Sequence, residues 1–466
     1  MNDPDGQHVE AEGVPTRALA LALALDEATL TDLGVFQPTD GGSSLFAFCN
    51  RTRTRGGADA LGRRMKRPWS DRTRILATQS ALAFVARHRD AFVDLPSDFL
   101  LHRSGRYLGA PIVMVRQTGT VEFGLTAAAL WMNDFRQYAV IAVGVGVAQR
   151  LLEVLRAFIR QPEFADPPGE LAGLFAELRE CLADPALAAV PDEPAHGRFW
   201  RTLRHDQLLR MHGRRAMERM IAIVYELDAL IAMADTCTDA GFVVPELVDG
   251  PLSVAAEGLV HPLVEDAVAN PALVDAQRRL LFLTGPNMAG KTTYLRAFSI
   301  AVYLAHLGMG VPAQRFRFAP ADALFSAIAL QDDLHGGVSY FRAEALRVKA
   351  VAQALAQGRR VIAVLDEPFK GTNVKDALDA SGALLVRFAA CENGRFMVSS
   401  HLIELEDALA GLGTVDCRHF EADESEARLR FDYRLRDGVS RQRLGMRVLE
   451  EEGVFTLLDG ARREDP

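Results

Sequence analysis

The sequence predicts a mostly α-helical N-terminal part followed by an α/β domain built on a parallel sheet. Up to about residue 240, apolar residues recur at three- and four-residue steps, which is the spacing of helices. After Pro245, short apolar runs such as 280–284, 361–367 and 395–400 alternate with helical segments. This alternation is typical of parallel strands joined by crossover helices. We therefore predict a domain boundary near residue 245.

The predicted organisation has three segments. Residues 1–16 are polar, contain glycine and proline, and are predicted to be disordered. Residues 17–244 are predicted to form a helical domain, and residues 245–466 the α/β domain. Within the helical domain, the apolar spacing of 208–237 continues over many turns without proline. That stretch predicts one long amphipathic helix.

The composition is typical of a soluble globular protein, with 49% hydrophobic and 24% charged residues. A net charge of -9 argues against a wholly basic nucleic-acid coat, although it leaves room for a local basic face. The cysteines are scattered and form no CxxC pair, which favours free thiols in a reducing compartment. They are Cys49, Cys181, Cys237, Cys391 and Cys417.

No segment is predicted to cross a membrane. The apolar run Ala18–Leu25 follows acidic residues, whereas a signal peptide begins with a basic region. The later run Tyr138–Ala148 is too short to span a bilayer. We therefore expect a cytoplasmic protein with no membrane partner.

The strongest motif follows the apolar run 280–283. Gly285 and Gly290, with Lys291 and Thr292, complete the Walker A pattern GxxxxGK[ST]. The glycines let backbone N–H groups close around phosphate oxygens, and the next helix adds its positive N-terminal end. Lys291 is predicted to reach the β- and γ-phosphates of a nucleotide triphosphate, and Thr292 to ligate Mg²⁺. The predicted ATP-binding residues are Gly285, Pro286, Asn287, Met288, Ala289, Gly290, Lys291, Thr292 and Thr293.

Two acidic residues and a histidine end later predicted strands. Asp366 fits the Walker B role of holding Mg²⁺, and Glu367 beside it can polarise the attacking water. The alternative is that the acidic pair caps a helix. His401 follows the run 395–400 and can sense the γ-phosphate by donating a hydrogen bond. Its alternative role is also a helix cap.

These motifs and their spacing resemble those of the MutS family of DNA mismatch repair ATPases. "TGPNMAGKTTYLR" is similar to the family's phosphate-binding loop, and "DDLHGGVSYFRAE", "LDEPFKGTNVKDA" and "SSHLIEL" continue the resemblance. It covers about residues 245–460. It also reaches the helical part, in "SLFAFCNRTRTRGGADALGRRMKRPWSD" and in "YELDALIAMADTCTDAGFVVPEL". Residues from about 100 to 200 do not align.

The resemblance implies an α/β P-loop ATPase domain of ABC type, preceded by mostly helical core and lever segments. It also implies ATP and Mg²⁺ as cofactors and a homodimer with each ATP held between two chains. Asn287 falls at a phosphate position, Glu367 is the Walker B glutamate, and His401 is the switch histidine. Ser339, in "GGVSYF", falls where the family contacts the γ-phosphate of the partner subunit. Asp376 follows "GTN" in the loop that crosses the dimer interface.

Three positions depart from the family's pattern. Ala289 replaces a glycine, which the backbone tolerates unless a positive φ is needed there. Pro368 stands where isoleucine is usual. Ala267 stands where an aromatic residue stacks on adenine, so weaker or less selective adenine binding is expected. The resemblance begins near Leu45, so the chain resembles a short member without the N-terminal mismatch-recognition and connector domains.

A basic stretch in the helical part is a candidate DNA-binding surface. Residues 51–74 contain nine arginines and lysines, opposed by Asp59 and Asp71. Such clusters contact phosphates independently of base sequence and in a salt-sensitive way. The alternative is a solvated face whose arginines pair with acidic residues of the chain. The candidates are Arg51, Arg53, Arg55, Arg63, Arg64 and Lys66.

Two functions remain open from the sequence. The first is a MutS-like, Mg²⁺-dependent ATPase dimer that couples ATP binding and hydrolysis to movement of a helical region on duplex or branched DNA. It would act in DNA repair or recombination, without base-sequence preference and without a mismatch-reading wedge. The second is an ATP-switched scaffold that binds a protein partner and no DNA.

Overall fold

The computed structural model describes residues 22–39, 42–117, 119–192, 198–328, 340–423, 429–442 and 444–461. Helices form the part up to Asp239, and the strands follow from Glu246 onward. The helices of the first part are α1 (Glu27–Asp32), α2 (Leu45–Cys49), α3 (Arg55–Lys66), α4 (Arg72–Arg87), α5 (Asp98–Leu108), α6 (Thr120–Asn133), α7 (Phe135–Ile159), α8 (Glu170–Leu182), α9 (Pro185–Ala188), α10 (Phe199–Gln207) and α11 (Arg214–Asp239).

Helix α11 is the centre of the helical part. Its apolar side chains are buried, and it packs against α3, α4 and α8. The sequence predicted one continuous helix over 208–237, and that prediction is wrong at its start. Residues Leu208–His212 form a π-helical turn, and the chain breaks at Gly213. A Cβ at Gly213 would lie 2.4 Å from the Leu187 side chain, so the close approach of α9 explains the glycine at the break.

The second part contains two principal sheets. Its strands are β1 (Glu246–Leu247), β2 (Ser253–Leu259), β3 (Asn270–Val274), β4 (Leu280–Thr284), β5 (Arg315–Ala319), β6 (Ala323–Ala327), β7 (Val361–Asp366), β8 (Gly394–Ser399), β9 (Val415–His419), β10 (Ala422–Asp423), β11 (Arg430–Phe431) and β12 (Arg436–Asp437). Its helices are α12 (Lys291–His306), α13 (Tyr340–Ala356), α14 (Val374–Ala390), α15 (Leu405–Leu409), α16 (Gly445–Glu451) and α17 (Val454–Ala461).

The six-stranded sheet has the order β12-β9-β4-β8-β7-β6. All of its pairs are parallel except β12 with β9, which confirms the predicted parallel sheet. Along β4, Leu281 and Leu283 face a core that continues into the helical part, whereas Leu280 and Phe282 face a second core. A strand alternates its side chains between two faces, so β4 is buried on both sides. The second sheet, β1-β5-β2-β3, is mainly antiparallel.

The first described residues lie against the edge of the six-stranded sheet. The N–H of Ala24 donates to the carbonyl of Asp322, and Ala24 forms a parallel bridge with Ala323 beside β6. Asp32 accepts the N–H of Ile328 at 2.7 Å, and Asp26 forms an ion pair with Arg347. This segment was predicted as the start of a separate helical domain, but its contacts join it to the α/β part.

Helix α7 is the one described helix that is long and apolar enough to cross a membrane by length and composition. The sequence prediction considered the shorter run Tyr138–Ala148 within it. Of its most apolar 18-residue window, 44% is buried inside the protein. Core helices of soluble proteins meet the same criterion.

The five cysteines are all free, which confirms the prediction of free thiols. Burial raises the pKa of Cys49 to about 12 and that of Cys237 to about 11. Both therefore remain protonated at neutral pH and behave as apolar core residues, because the thiolate is the reactive form.

Candidate functional site

The predicted site residues meet at the carboxyl edge of the six-stranded sheet. Strands β4, β8 and β7 are neighbours and parallel, so their carboxyl ends lie side by side. The loop before α12 follows β4, Asp366 ends β7, and Ser399 ends β8. Ligands of open α/β sheets bind at this edge. The topology thus places the candidate residues where a ligand site is expected.

The loop between β4 and α12 has the backbone shape that its glycines permit. Gly285 has φ 139°, and a Cβ there would lie 2.7 Å from the carbonyl oxygen of Phe420. Gly290, at the N-terminus of α12, has φ 97°. The left-handed residue between them is Met288, with φ 70°, whereas Ala289 is buried and has no positive φ. The alanine at 289 is therefore compatible with this loop.

Lys291 is buried at the first turn of α12. Its Nζ donates to the carbonyls of Gly285 and Pro286, at 2.8 and 3.1 Å. Burial lowers the pKa of the Lys291 amine, and the nearby Glu367 and Asp366 carboxylates oppose that shift. The amine is thus held inside the loop, close to the free N–H groups of a helix N-terminus, where an anionic group is favoured.

Asp366 is fixed by two hydroxyl groups. Thr292 Oγ1 donates to one carboxylate oxygen at 2.6 Å, and Ser399 Oγ donates to the other. Hydroxyl and carboxylate oxygens are ligands that Mg²⁺ prefers, and Mg²⁺ commonly takes its remaining ligands from phosphates and water. The oxygens of Thr292 and Asp366 therefore fit a Mg²⁺ ion that arrives with a phosphate ligand. Among the described residues, three or more His, Cys, Asp or Glu side chains nowhere converge on a metal-sized site.

Glu367 and His401 face each other next to Asp366. Nδ1 of His401 lies 3.7 Å from Oε1 of Glu367, which is an ion-pair distance. The contact with His401 lowers the pKa of Glu367, and the same contact raises the pKa of His401. Glu367 is therefore ionised at neutral pH and can accept a proton. Its N–H is fixed by the carbonyl of Ser399 at 3.1 Å.

Unusual backbone conformations concentrate around this site. In the described parts of the chain, the non-glycine residues with positive φ are Asp266, Met288, Glu367, Phe369 and Tyr433. All except Phe369 line one pocket with Lys291 and Thr292. Each such conformation costs on the order of 1–3 kcal/mol and persists where the surroundings impose it, most often at functional sites. Two of these four residues, Asp266 and Tyr433, lie outside the motifs and point to the same pocket.

The pocket is a cleft of about 900 Å³, a size that suits a ligand as large as a nucleotide. Ala267 lines the cleft at the sequence position where the family has an aromatic ring. The exposed aromatic side chain among the residues that line this cleft is that of Tyr433, near Gly290. Asn270 positions it, because its side-chain amide donates to the Tyr433 carbonyl at 2.9 Å and accepts from the N–H of Leu435 at 2.7 Å.

Two further site residues were predicted from the resemblance. Ser339 lies outside the described residues. Asp376 is exposed in the first turn of α14, where its N–H donates to Asn373 Oδ1 at 2.9 Å. Its predicted contact with a second chain stays a prediction.

The basic stretch 51–74 is partly neutralised by acidic residues of the same chain. Arg64 is mostly buried and bridges Glu170 and Glu226. Two more candidates are paired as well: Arg63 contacts Glu226, and Arg51 contacts Asp239. These pairs agree with the alternative prediction for this stretch, a solvated face whose arginines pair with acidic residues of the chain. The remaining candidates, Arg53, Arg55 and Lys66, are exposed, and the described ion pairs do not include them.

Sequence reasoning missed Ser399, Asn270 and Tyr433. The position of Ser399 at a strand end, next to the strand of Asp366, was a usable signal, because neighbouring parallel strands bring their carboxyl ends together. Asn270 and Tyr433 are 163 residues apart and meet only in the fold. No local pattern marks that pair.

The fold and the site define an α/β protein in which a glycine-bearing loop, a helix N-terminus and two carboxylates converge on one cleft. Residues 281–462 match the family model described as MutS domain V. Residues 281–462 therefore form a MutS-type C-terminal domain, as the resemblance in the sequence predicted. At the level of the family, the domain is an ATPase that uses ATP and Mg²⁺, and its members generally act as DNA-binding dimers in mismatch repair.

Proposed function

We propose that the C-terminal domain is a P-loop ATPase of ABC type that binds ATP with Mg²⁺ and hydrolyses it to ADP and phosphate. The observation that carries the proposal is the meeting of Lys291, the Thr292–Asp366 pair and Glu367 in one cleft. His401 contacts Glu367 from the adjoining cavity. When bound, Mg²⁺ would neutralise phosphate charge. Lys291 would exchange its loop carbonyls for phosphate oxygens, and Glu367 would accept the proton of the attacking water.

The nucleotide base is proposed to lie in this cleft beside Tyr433. Tyr433 is 45% exposed and is held by Asn270, so its ring is available for stacking from a different segment than in the family's pattern. This arrangement supports adenine binding in spite of the small side chain at 267.

A homodimer is proposed because a second cavity, which contains His401, adjoins the cleft. This cavity measures about 700 Å³ and is also lined by Met288 and Val374, which are 75% and 70% exposed. Exposed apolar side chains beside a reactive centre are typical of an interaction surface. In the proposed dimer, Ser339 of one chain contacts the γ-phosphate bound by the other, and closure moves the helical part. We propose that the protein acts in the cytoplasm.

The first prediction concerns nucleotide binding. Lys291→Ala should weaken ATP binding roughly 10- to 150-fold, since a hydrogen bond to a charged group contributes about 1.5–3 kcal/mol. Isothermal titration calorimetry with ATP and Mg²⁺ measures the effect. Lys349→Ala, at an exposed lysine of α13, is the matched control and should bind normally. Equal affinities for wild type and Lys291→Ala would exclude this loop as the phosphate site.

DNA is the proposed partner of the helical part, without preference for base sequence. The exposed Arg53, Arg55 and Lys66 support this proposal, whereas the internal pairing of Arg51, Arg63 and Arg64 favours the scaffold alternative. The two functions differ in their response to salt. Phosphate contacts weaken steeply as salt rises, and a scaffold retains no DNA even at low salt.

The second prediction therefore concerns DNA specificity. Duplexes with and without one mismatch should bind within about threefold of each other, a difference under about 0.7 kcal/mol, because no wedge is proposed to read the mismatch. Competition binding at low and moderate salt measures the affinity ratio of the two duplexes and the salt dependence of DNA binding. A tenfold preference for the mismatched duplex would contradict the proposal, and absence of DNA binding at low salt would favour the scaffold.

A further inference from the structure

The turn that follows β7 carries Glu367 on a strained backbone. Glu367 has φ 50° and Phe369 has φ 67°, so two residues of the stretch 367–369 have a left-handed conformation without being glycine. Such conformations persist only where neighbouring groups impose them. The Ser399 carbonyl accepts the N–H of Glu367 at 3.1 Å. That contact fixes the first residue of the turn, whereas Phe369 and the residues after it need other partners.

Helix α13 contacts this turn through two side chains. The Phe341 ring lies 5.6 Å from the Phe369 ring, measured between the ring centroids. About one helical turn later, Glu344 is buried, with only 4% of its surface exposed. Glu344 borders a small cavity together with Asp366 and Pro368. A buried carboxylate of α13 therefore lies directly beside the turn that carries Glu367.

The Glu344 carboxylate interacts with the turn and not with the buried arginine of its own helix. Burial raises the pKa of Glu344, whereas hydrogen bonds from the backbone N–H groups of 369–371 and the charge of Lys370 oppose that rise. Arg347, three residues further along α13, pairs with Asp26. Burying a carboxylate costs free energy unless hydrogen bonds compensate it. The backbone of 369–371 provides that compensation, and the carboxylate in turn restrains this backbone.

Helix α13 is itself attached to its surroundings next to Glu344. Nε of Arg347 donates to the carbonyl of Ser326, in β6, at 3.1 Å. Nη2 of Arg347 donates to the hydroxyl of Thr29, in α1, at 2.5 Å. A continuous set of contacts therefore runs from α1 through Arg347 and Glu344 to the turn of Glu367. Because α13 is anchored, Glu344 can hold the turn in one place.

We propose that Glu344 is a positioning residue for ATP hydrolysis, which holds the backbone of 369–371 so that the Glu367 carboxylate stays in the cleft. This inference rests on the proposed role of Glu367 as the base. Glu367 lines the nucleotide cleft, and Glu344 is not among the described residues that do so. Loss of Glu344 should therefore lower turnover and leave ATP affinity nearly unchanged. A purely structural role would instead lower the stability of the fold and affect both quantities alike.

Phosphate release and calorimetry with ATP and Mg²⁺, both on the full chain, test this inference. Glu344→Ala should lose about tenfold or more of its turnover and keep its ATP affinity within about threefold. Glu344→Leu fills the same space without an acceptor and should show the same loss. Glu344→Gln should recover most of the turnover, because its amide oxygen still accepts N–H groups. Lys349→Ala, at an exposed position of the same helix, is the matched control and should hydrolyse ATP at the wild-type rate.

The double variant Glu344→Ala/Glu367→Gln shows whether Glu344 acts through the base. If it does, Glu344→Ala adds no further loss to that of Glu367→Gln, because residues that act as a unit are not additive. Losses that multiply, or wild-type turnover in Glu344→Ala, would overturn the inference. Unfolding of both Glu344→Ala and Glu344→Leu, checked by circular dichroism, would also overturn it, since the role would then be structural. Wild-type turnover in Glu367→Gln would instead contradict the proposed base, so the two failures are distinguishable.

Discussion

Glu367→Gln is expected to bind ATP with wild-type affinity and to lose about 100-fold or more of its turnover. The substitution keeps the size and the hydrogen-bonding capacity of the side chain, so the cleft should retain its shape. It removes the carboxylate that accepts a proton, and general base catalysis contributes about 100- to 10,000-fold. Steady-state phosphate release gives the turnover, and calorimetry gives the affinity. A loss confined to the catalytic step is the pattern expected of a base.

Two further variants sharpen this experiment. Glu392→Gln removes a carboxylate that is 90% exposed and far from the site in the fold, and it should leave turnover unchanged. His401→Ala removes the contact that lowers the pKa of Glu367, so that pKa should rise. The base works only when ionised, and activity is lost as pH falls through its pKa. The acid limb of the turnover profile should therefore move to higher pH in His401→Ala. Wild-type turnover in Glu367→Gln would refute its role as the base.

Much of the site could be predicted because its signals are local. A strand, a turn with glycines at fixed positions and a helix occupy one short stretch, so the loop of Lys291 was visible in the sequence. The carboxyl end of β7 placed Asp366 and Glu367 by the same reasoning. The structure adds how Asp366 is held, by Thr292 and by Ser399, a residue from a neighbouring strand. Pairing between strands is a property of the fold, and periodicity within one strand does not report it.

The parts that sequence reasoning missed depend on distant contacts. The segment around Ala24 reads as the start of a helical domain, yet its hydrogen bonds go to Asp322 and Leu324, about 300 residues later. The break at Gly213 depends on Leu187, which belongs to another helix. The basic stretch shows the same limit, because its charges are visible in sequence whereas the carboxylates that neutralise Arg64 come from two remote helices.

Asp228 is a residue whose loss should strongly destabilise the helical part. It lies in α11, is fully buried, and accepts three hydrogen bonds from the segment before α3. The N–H groups of Arg53 and Thr54 donate at 3.0 and 2.9 Å, and the Thr54 hydroxyl donates at 2.6 Å. Thr54 in turn caps α3 by accepting the N–H of Gly57. The Asp228 carboxylate thus joins the central helix to the start of the basic stretch. The two segments are in close contact, because a Cβ at Gly57 would lie 2.1 Å from this carboxylate.

Asp228→Ala should therefore lower the free energy of unfolding by about 3–5 kcal/mol, because each buried donor left without a partner costs about 1–3 kcal/mol. Urea denaturation followed by circular dichroism at 222 nm, a signal that helices dominate, measures the change. Asp239→Ala is the control on the same helix. Its carboxylate is 59% exposed and pairs with Arg51, and exposed pairs contribute less than about 1 kcal/mol. Equal shifts for the two variants would mean that burial of Asp228 does not organise this junction. A large loss of unfolding free energy in Asp228→Ala alone would show that the buried carboxylate positions the basic stretch. This conclusion holds for any anion that the stretch contacts.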